Sequence, residues 1–303
     1  MAKVFTNIRR ARPLLGTFVE IEVLGATEPD TMASIEAAFD AVAKVHRLMS
    51  FHDADSDVSR LNREAQRNPT VVDAWTFSVL EAAVELHRRS NGMFDIAVAP
   101  ALQALGLLPG THDSAAVAPG SRSFDAIELL PGYVVRFHSA GIRIDLGGIA
   151  KGFAVDRAIE VLRGFGMIGA VANAGGDLAA FGPEPHAVHV RHPRNPARLA
   201  CHVDVANEAL ASSARRFDPF YGAATASSAV IDPATQRAPE MVDGATVRAP
   251  SCVIADALTK IVMIAGAQAA DLIAHYQASA LIMSADGSLQ ISSDFHHAVH
   301  LAA

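Results

Sequence analysis

Three groups of residues in this chain have types and spacings that could do chemistry. The first is the run Ile144-Asp145-Leu146-Gly147-Gly148-Ile149-Ala150-Lys151-Gly152-Phe153. An apolar segment ends at paired glycines, where the backbone can approach a ligand closely, and a helix then opens with a lysine in its first turn. The N–H groups and positive dipole end of such a helix favour an anion, and Lys151 adds a point charge. The spacing is neither that of a Walker A loop nor GxGxxG, so the usual phosphate motifs do not apply. Residue types alone allow an anion site or an ordinary strand-to-helix turn with a surface lysine. The second group is Asp256, Thr259 and Lys260, which at i, i+3 and i+4 share one helix face beside the apolar run Ile261-Val262-Met263-Ile264. A charge next to such a run needs a partner, and a simple Asp256–Lys260 salt bridge meets that need as well as a functional pair does. The third is the turn Asn173-Ala174-Gly175-Gly176-Asp177, which taken alone reads more readily as a hairpin or bulge.

Other candidates are weaker. Asp53, Asp55, Asp57 and Glu64 match carboxylate positions of a calcium loop, but Val58 stands where the sharp turn needs glycine. A solvated helix-capping loop is the better reading. His296 and His300 are four apart without an accompanying glutamate, and His186, His189 and His192 fall in a strand-like region, so both sets read as polar surface. Cys201 and Cys252 have neither metal nor disulfide spacing.

The elements that must position these groups are mixed. Alternation over Thr17–Leu24 predicts a half-buried strand, and Ile35, Phe39, Val42 and Val45 predict a helix with Asp30 as its N-cap. Short and long helices are expected around Val58–Glu64 and Trp75–Arg89, the latter stopped by Ser90-Asn91-Gly92. Pro109–Gly120 reads as a surface excursion. Tyr133–Phe137 and Ile142–Leu146 read as a strand pair, followed by a helix to about Arg163, a strand at Ile168–Ala172, and several strands up to about Ser212. The stretch from Ser213 to Ser228 reads as irregular. Helices at Ala255–Ala265 and Ala267–His275, then a hairpin at Ala285-Asp286-Gly287, complete the chain. Without strict βαβ alternation or a clear linker, the reading is α+β, one large domain over residues 1–303.

Composition supports a folded protein: of 303 residues, 50% are hydrophobic and 19% charged, which excludes a highly charged disordered chain. A net charge of −7 argues against a nucleic-acid binder. The 25 basic residues include only four lysines, Lys3, Lys44, Lys151 and Lys260, so lysine positions carry information. The N-terminal segment lacks a signal-peptide pattern, and the longest apolar stretch, Ile96–Leu108, is too short to span a bilayer. A cytoplasmic protein with no transmembrane segment is the expectation.

Taken in order, several segments resemble the FAD:protein FMN transferase (ApbE) family. They are Leu14-Leu15-Gly16-Thr17; Met49-Ser50-Phe51-His52 with Ser59-Arg60-Leu61-Asn62; Gly92-Met93-Phe94-Asp95-Ile96-Ala97-Val98-Ala99-Pro100; the block from Ile144 to Asp156; Asn173–Asp177; Ala209–Ser213; Ile231-Asp232-Pro233; and Ala255-Asp256-Ala257-Leu258. The resemblance implies an enzyme that splits FAD, passes the FMN half to a Thr or Ser hydroxyl of an acceptor flavoprotein, and releases AMP. It places Leu15, His52, Met93, Phe94, Asp95, Asp145, Lys151 and Ile231 along the FAD. It also implies Mg²⁺, with Gly148 (main chain), Asp256 and Thr259 as ligands. Two departures stand out. The family commonly has a histidine where this chain has Ala229, and a ligating side chain where it has Lys260. An ammonium cannot ligate a metal, so Lys260 is expected to replace part of its charge beside Asp256, making these two the catalytic candidates. A non-catalytic FAD-binding or delivery protein, and an FAD pyrophosphatase giving FMN and AMP, are the alternatives.

Overall fold

The computed structural model describes residues 6–25, 27–110, 123–215 and 228–302. Most of the expected excursion at 109–120 and of the irregular stretch at 213–228 lies outside them. Two strands open the chain, β1 (Thr6–Leu14) and β2 (Thr17–Gly25), joined at Leu15-Gly16 with φ of 56° and 71°. Both positive values suit the two-residue turns whose twist matches a hairpin. Helices α1 (Glu28–Met49) and α2 (Asp57–Glu64) follow, then β3 (Thr70–Val71), α3 (Ala74–Arg89) and α4 (Ala99–Ala104). The next elements are β4 (Ile127–Leu130), β5 (Val134–Phe137) and α5 (Ala150–Gly164). Strands β6 (Gly169–Ala174), β7 (Asp177–Phe181), β8 (His186–His192), β9 (Asn195–Val205), β10 (Ala209–Ala214) and β11 (Val242–Ala249) come next. The chain closes with α6 (Cys252–Ala265), α7 (Ala270–His275), β12 (Ser279–Ser284), β13 (Leu289–Ile291) and β14 (Val299–Leu301).

An eight-stranded antiparallel sheet in the order β1-β2-β6-β7-β10-β11-β12-β13 forms the frame. Its two faces bury different layers, as the period of two along each strand requires. Ala179 on β7, Ala209 and Ala211 on β10, and Ala280 and Ile282 on β12 join the main core with α1, α5 and α6. Their neighbours Leu178, Ala180, Leu210 and Leu281 point the other way, onto Val190, Cys201, Val203 and Phe295. That second layer is a three-stranded sheet, β14-β9-β8. Another small sheet, β3-β5-β4, lies beside α3. The α+β expectation therefore holds, as one sheet with helices on one face and a smaller sheet on the other.

Several local readings are corrected. The N-cap of α1 is Thr27, whose hydroxyl oxygen accepts the Asp30 N–H at 3.3 Å while donating to the Asp30 carboxylate at 2.7 Å. Asp30 is the third helical residue of a reciprocal cap, not the cap itself. Val134–Phe137 pairs with Ile127–Leu130, not with Ile142–Leu146. The turn is Pro131-Gly132-Tyr133, with positive φ at Gly132 and Tyr133. Residues 142–146 join no ladder; the Asn62 amide brackets Ile144 instead, accepting its N–H at 2.7 Å and donating to its carbonyl at 2.9 Å. The β1 strand has no clear alternation in the sequence, because Arg9, Arg10 and Arg12 stand on an exposed sheet edge. The run Cys252–His275 is long and apolar enough by composition to cross a membrane, but over half of it is buried in the fold. Both cysteines are buried and free.

A cavity floored by two lysine–aspartate pairs

Helices α5 and α6 cap each other, and this reciprocal arrangement builds the site. Asp156 on α5 accepts the N–H groups of Cys252 and Val253 at 2.7 and 2.8 Å, satisfying the start of α6. Asp256 on α6 accepts the Gly152 N–H of α5 at 3.0 Å. Each carboxylate thus fills the positive end of the opposite helix. The contact is close enough to demand glycine at 152, since a Cβ there would lie 2.2 Å from the Cys252 carbonyl oxygen. The α5 start is therefore not a free anion site. Its Gly152 N–H holds an internal carboxylate, and the Ala150 N–H bonds Leu146 O at 2.8 Å. Any external anion would meet the lysines.

Both lysines stand in ion pairs with buried partners. Lys151 bonds Asp177, whose side chain is 1% exposed. Burial works against its charge, but Asp177 and Asp256 outweigh it and hold the ammonium protonated well above its ordinary range. The second Asp177 oxygen has no partner among the described residues. Lys260 bonds Asp256 Oδ1 and, at 3.0 Å, the Asp256 carbonyl. Burial alone would raise the Asp256 carboxyl, but Lys260 and Lys151 hold it below the usual carboxylate range. Thr259 is fully buried, donating to the Asp256 carbonyl at 2.7 Å with its hydroxyl 2.8 Å from that of Ser213. The Lys260 stem passes over Gly148, where an added Cβ would lie 3.6 Å from it.

In front of these pairs opens a cavity of about 1290 Å³. Leu15, His52, Met93, Phe94, Asp95, Asp145, Gly148, Lys151, Ile231 and Lys260 all line it, although they come from widely separated parts of the chain. Asp256 and Thr259 lie behind the wall, where Asp256 positions Lys260. Leu15 is on the β1–β2 turn, and Ile231 packs with Leu102 and Leu107 after α4. Asp145 accepts the Gly147 N–H at 3.0 Å; burial raises its carboxyl, while that bond and nearby His52 oppose the rise. Asp95 accepts the Ala97 N–H at 2.7 Å, and burial pushes its carboxyl up to about 6.

The structure also shows residues that sequence reasoning missed. Asp177 was noted only as the end of a turn, yet it is the partner of Lys151. His189, Arg191 and His192 of β8 also line the cavity; Ala229, already marked in the sequence by its missing imidazole, lines it too. No local signal announces these, since each depends on a partner distant in sequence. The calcium-loop reading finds no support: Asp57 is buried and accepts the Asp73 N–H and Thr76 hydroxyl, each at 2.8 Å.

Fold and site define an α+β protein whose large cleft is floored by fixed lysine–aspartate pairs. The model of the ApbE family matches residues 15–282, and the chain belongs to that family. Among curated relatives, the FAD:protein FMN transferase of Vibrio cholerae is 25% identical over 275 residues, 86% of this chain and 82% of that one. The protein of the same name from Rhodobacter capsulatus is 29% identical over 269 residues, 84% of this chain. For the Treponema pallidum protein, also of that name, identity is 28% over 189 residues, 57% of this chain. The chain spans about half the length of these last two relatives, 50% and 51%. The fold is that of the ApbE protein of Thermotoga maritima, at a TM-score of 0.84, 24% identity, and coverage of 97% of this chain and 99% of that one.

Proposed function

We infer that this protein transfers FMN from FAD to a hydroxyl of an acceptor flavoprotein. The acceptor oxygen attacks the phosphorus of the FMN half, the bond to the AMP oxygen breaks, and the hydroxyl proton ends on solvent or AMP. Phosphoryl transfer of this kind asks the protein mainly for positioning and charge neutralisation. The observation that carries the reading is the pair of ammonium groups, Lys151 and Lys260, brought to one cavity floor by two helices that lock each other in register. The cavity exceeds the roughly 300–1,000 Å³ usual for small-molecule sites, which suits a dinucleotide. Asp145 and Gly148 would lie along the FAD, and Leu15, Met93 and Ile231 would offer apolar surface to the rings.

The residues expected to hold Mg²⁺ do not fit it in this arrangement. Magnesium needs an octahedral set of oxygens, yet one Asp256 oxygen accepts the Gly152 N–H and the other holds the Lys260 ammonium. We therefore assign Lys260 the role of a built-in cation facing the pyrophosphate. Incubation with FAD and a candidate flavoprotein domain, read by intact mass, tests the transfer. Covalent flavin on the acceptor with AMP released supports it. Free FMN with AMP identifies a pyrophosphatase, and intact bound FAD identifies a carrier.

A further inference from the structure

A second cluster lies on the small sheet, where His189 alone of its members borders the cavity. His189 on β8 is the direct cross-strand partner of His202 on β9, and His202 is the partner of His300 on β14. The three imidazoles therefore form a row across the sheet. Asp204, two residues after His202, falls on the same face by the period of the strand. The rings of His202 and His300 stack at 4.3 Å with planes 12° apart, and His189 meets His202 edge-on at 6.2 Å. His300 Nε2 lies 3.1 Å from Asp204 Oδ2. One ligand atom from each of His202, Asp204 and His300 falls within 4.8 Å of the others.

We propose that His202, Asp204 and His300 form a binding site for a borderline divalent transition metal, with zinc as the representative ion. Two imidazoles and a carboxylate are the donors that Zn²⁺, Ni²⁺ and Cu²⁺ take, whereas Mg²⁺ and Ca²⁺ prefer oxygen alone. Zinc–ligand bonds of about 2.0–2.2 Å put tetrahedral donors about 3.4 Å apart. The observed spacing of up to 4.8 Å thus needs to close by up to about 1.4 Å through rotation of the side chains. Asp204 and His300 are 41% and 47% exposed, so an ion can reach them from solvent. Water completes the coordination. The site would tie β14 to β9, which pair over Val299–Leu301 with one further bond from the Ala302 N–H to Ala200 O at 3.0 Å. It stands independently of the flavin reading and uses none of the residues on the cavity floor.

The test is calorimetric titration of the full chain with ZnCl₂, alongside thermal melting with and without the ion, in the presence of excess Mg²⁺. The proposal expects one Zn²⁺ per chain and a melting point raised by the metal. Binding should weaken at least about tenfold in His202→Ala, His300→Ala and Asp204→Asn, since removing even an outer-shell partner of a metal costs that much. Asp204→Asn preserves shape, so a loss there cannot come from β14 detaching. Cu²⁺ bound at the site should show two nitrogen ligands by electron paramagnetic resonance. His296→Ala, in the same histidine-rich tail, should bind as the parent does. Absent binding in the parent, unchanged binding in the three variants, or an equal loss in His296→Ala would overturn the proposal.

Discussion

Replacing Lys260 by glutamine removes one positive charge and leaves the rest of the α6 face in place. The structure sets two consequences that can be read separately. Asp256 has no exposed side-chain surface, and Lys260 is only 17% exposed, so the variant leaves a buried carboxylate without its nearest cation. Breaking a buried pair in this way costs about 3–5 kcal/mol. The Gly152 N–H and Lys151 still face Asp256, which places the expected loss near the lower end, about 3 kcal/mol. In a chain of 303 residues, at about 2.1 cal/mol/K of unfolding entropy per residue, that is a fall of roughly 5 °C in Tm. If the ammonium also faces the pyrophosphate, losing it should lower kcat about 10²–10³-fold, the effect of removing one fixed donor from a transition state. Melting curves and transfer rates measured well below both melting points separate the two effects. Because the Asp256 carboxyl is depressed in the fold, its contribution to stability is present above its unfolded pKa and lost as pH falls. The variant should flatten that acid limb. A Tm loss with an unchanged kcat would leave Lys260 a structural residue only. An unchanged Tm would refute the account of how Asp256 is held.

Gly152→Ala would drive a methyl group against the Cys252 carbonyl, so a loss of about 1–3 kcal/mol or more is expected, with weaker FAD binding because both lysines move. An unchanged melting curve would show that α5 and α6 are not locked there. Asn62→Ala leaves the Ile144 N–H and carbonyl without partners, costing about 1–3 kcal/mol for each buried group. Fluorescence titration should show a higher Kd for FAD as Asp145 loses its support, and an unaltered Kd would contradict this. For Asp95, burial raises the carboxyl to about 6. Its folded state binds a proton more tightly than the unfolded one, so its contribution is full below about pH 4 and is lost as pH rises to about 6. The parent should therefore lose stability relative to Asp95→Asn across that interval, and a constant difference between their melting points would contradict the assignment.

What was legible in the sequence follows from range. Lys151, Asp256 and Lys260 could be singled out because glycine turns and i, i+4 spacing are local patterns that a helix start and a helix face make meaningful. The Asp256–Lys260 pair is legible from the same spacing, whereas Asp177, Gly152 and Asp156 acquire roles only when α5, α6 and β7 meet. Residue types at the start of α5 allow an anion site or an ordinary turn, and its Gly152 N–H is occupied by a carboxylate 104 positions away in the chain. The supposed strand at 142–146 failed for a related reason. Its apolar run is held by one asparagine side chain and by the Asp145 N–H bonding Ile96 O at 2.8 Å, neither of which leaves a periodic trace. On β1, conversely, the arginines of an exposed edge hid a genuine nine-residue strand.

The central claim is that two fixed ammonium groups, rather than an exchangeable metal, neutralise the pyrophosphate while FMN moves to a protein hydroxyl. The most direct measurement follows AMP release and covalent flavin on an acceptor domain over the same time course, with a strong chelator present. If the two ammonium groups suffice, the two products appear together, one AMP for each covalent flavin, at a rate the chelator does not change. Transfer that stops with the chelator and returns only with added Mg²⁺ would contradict it.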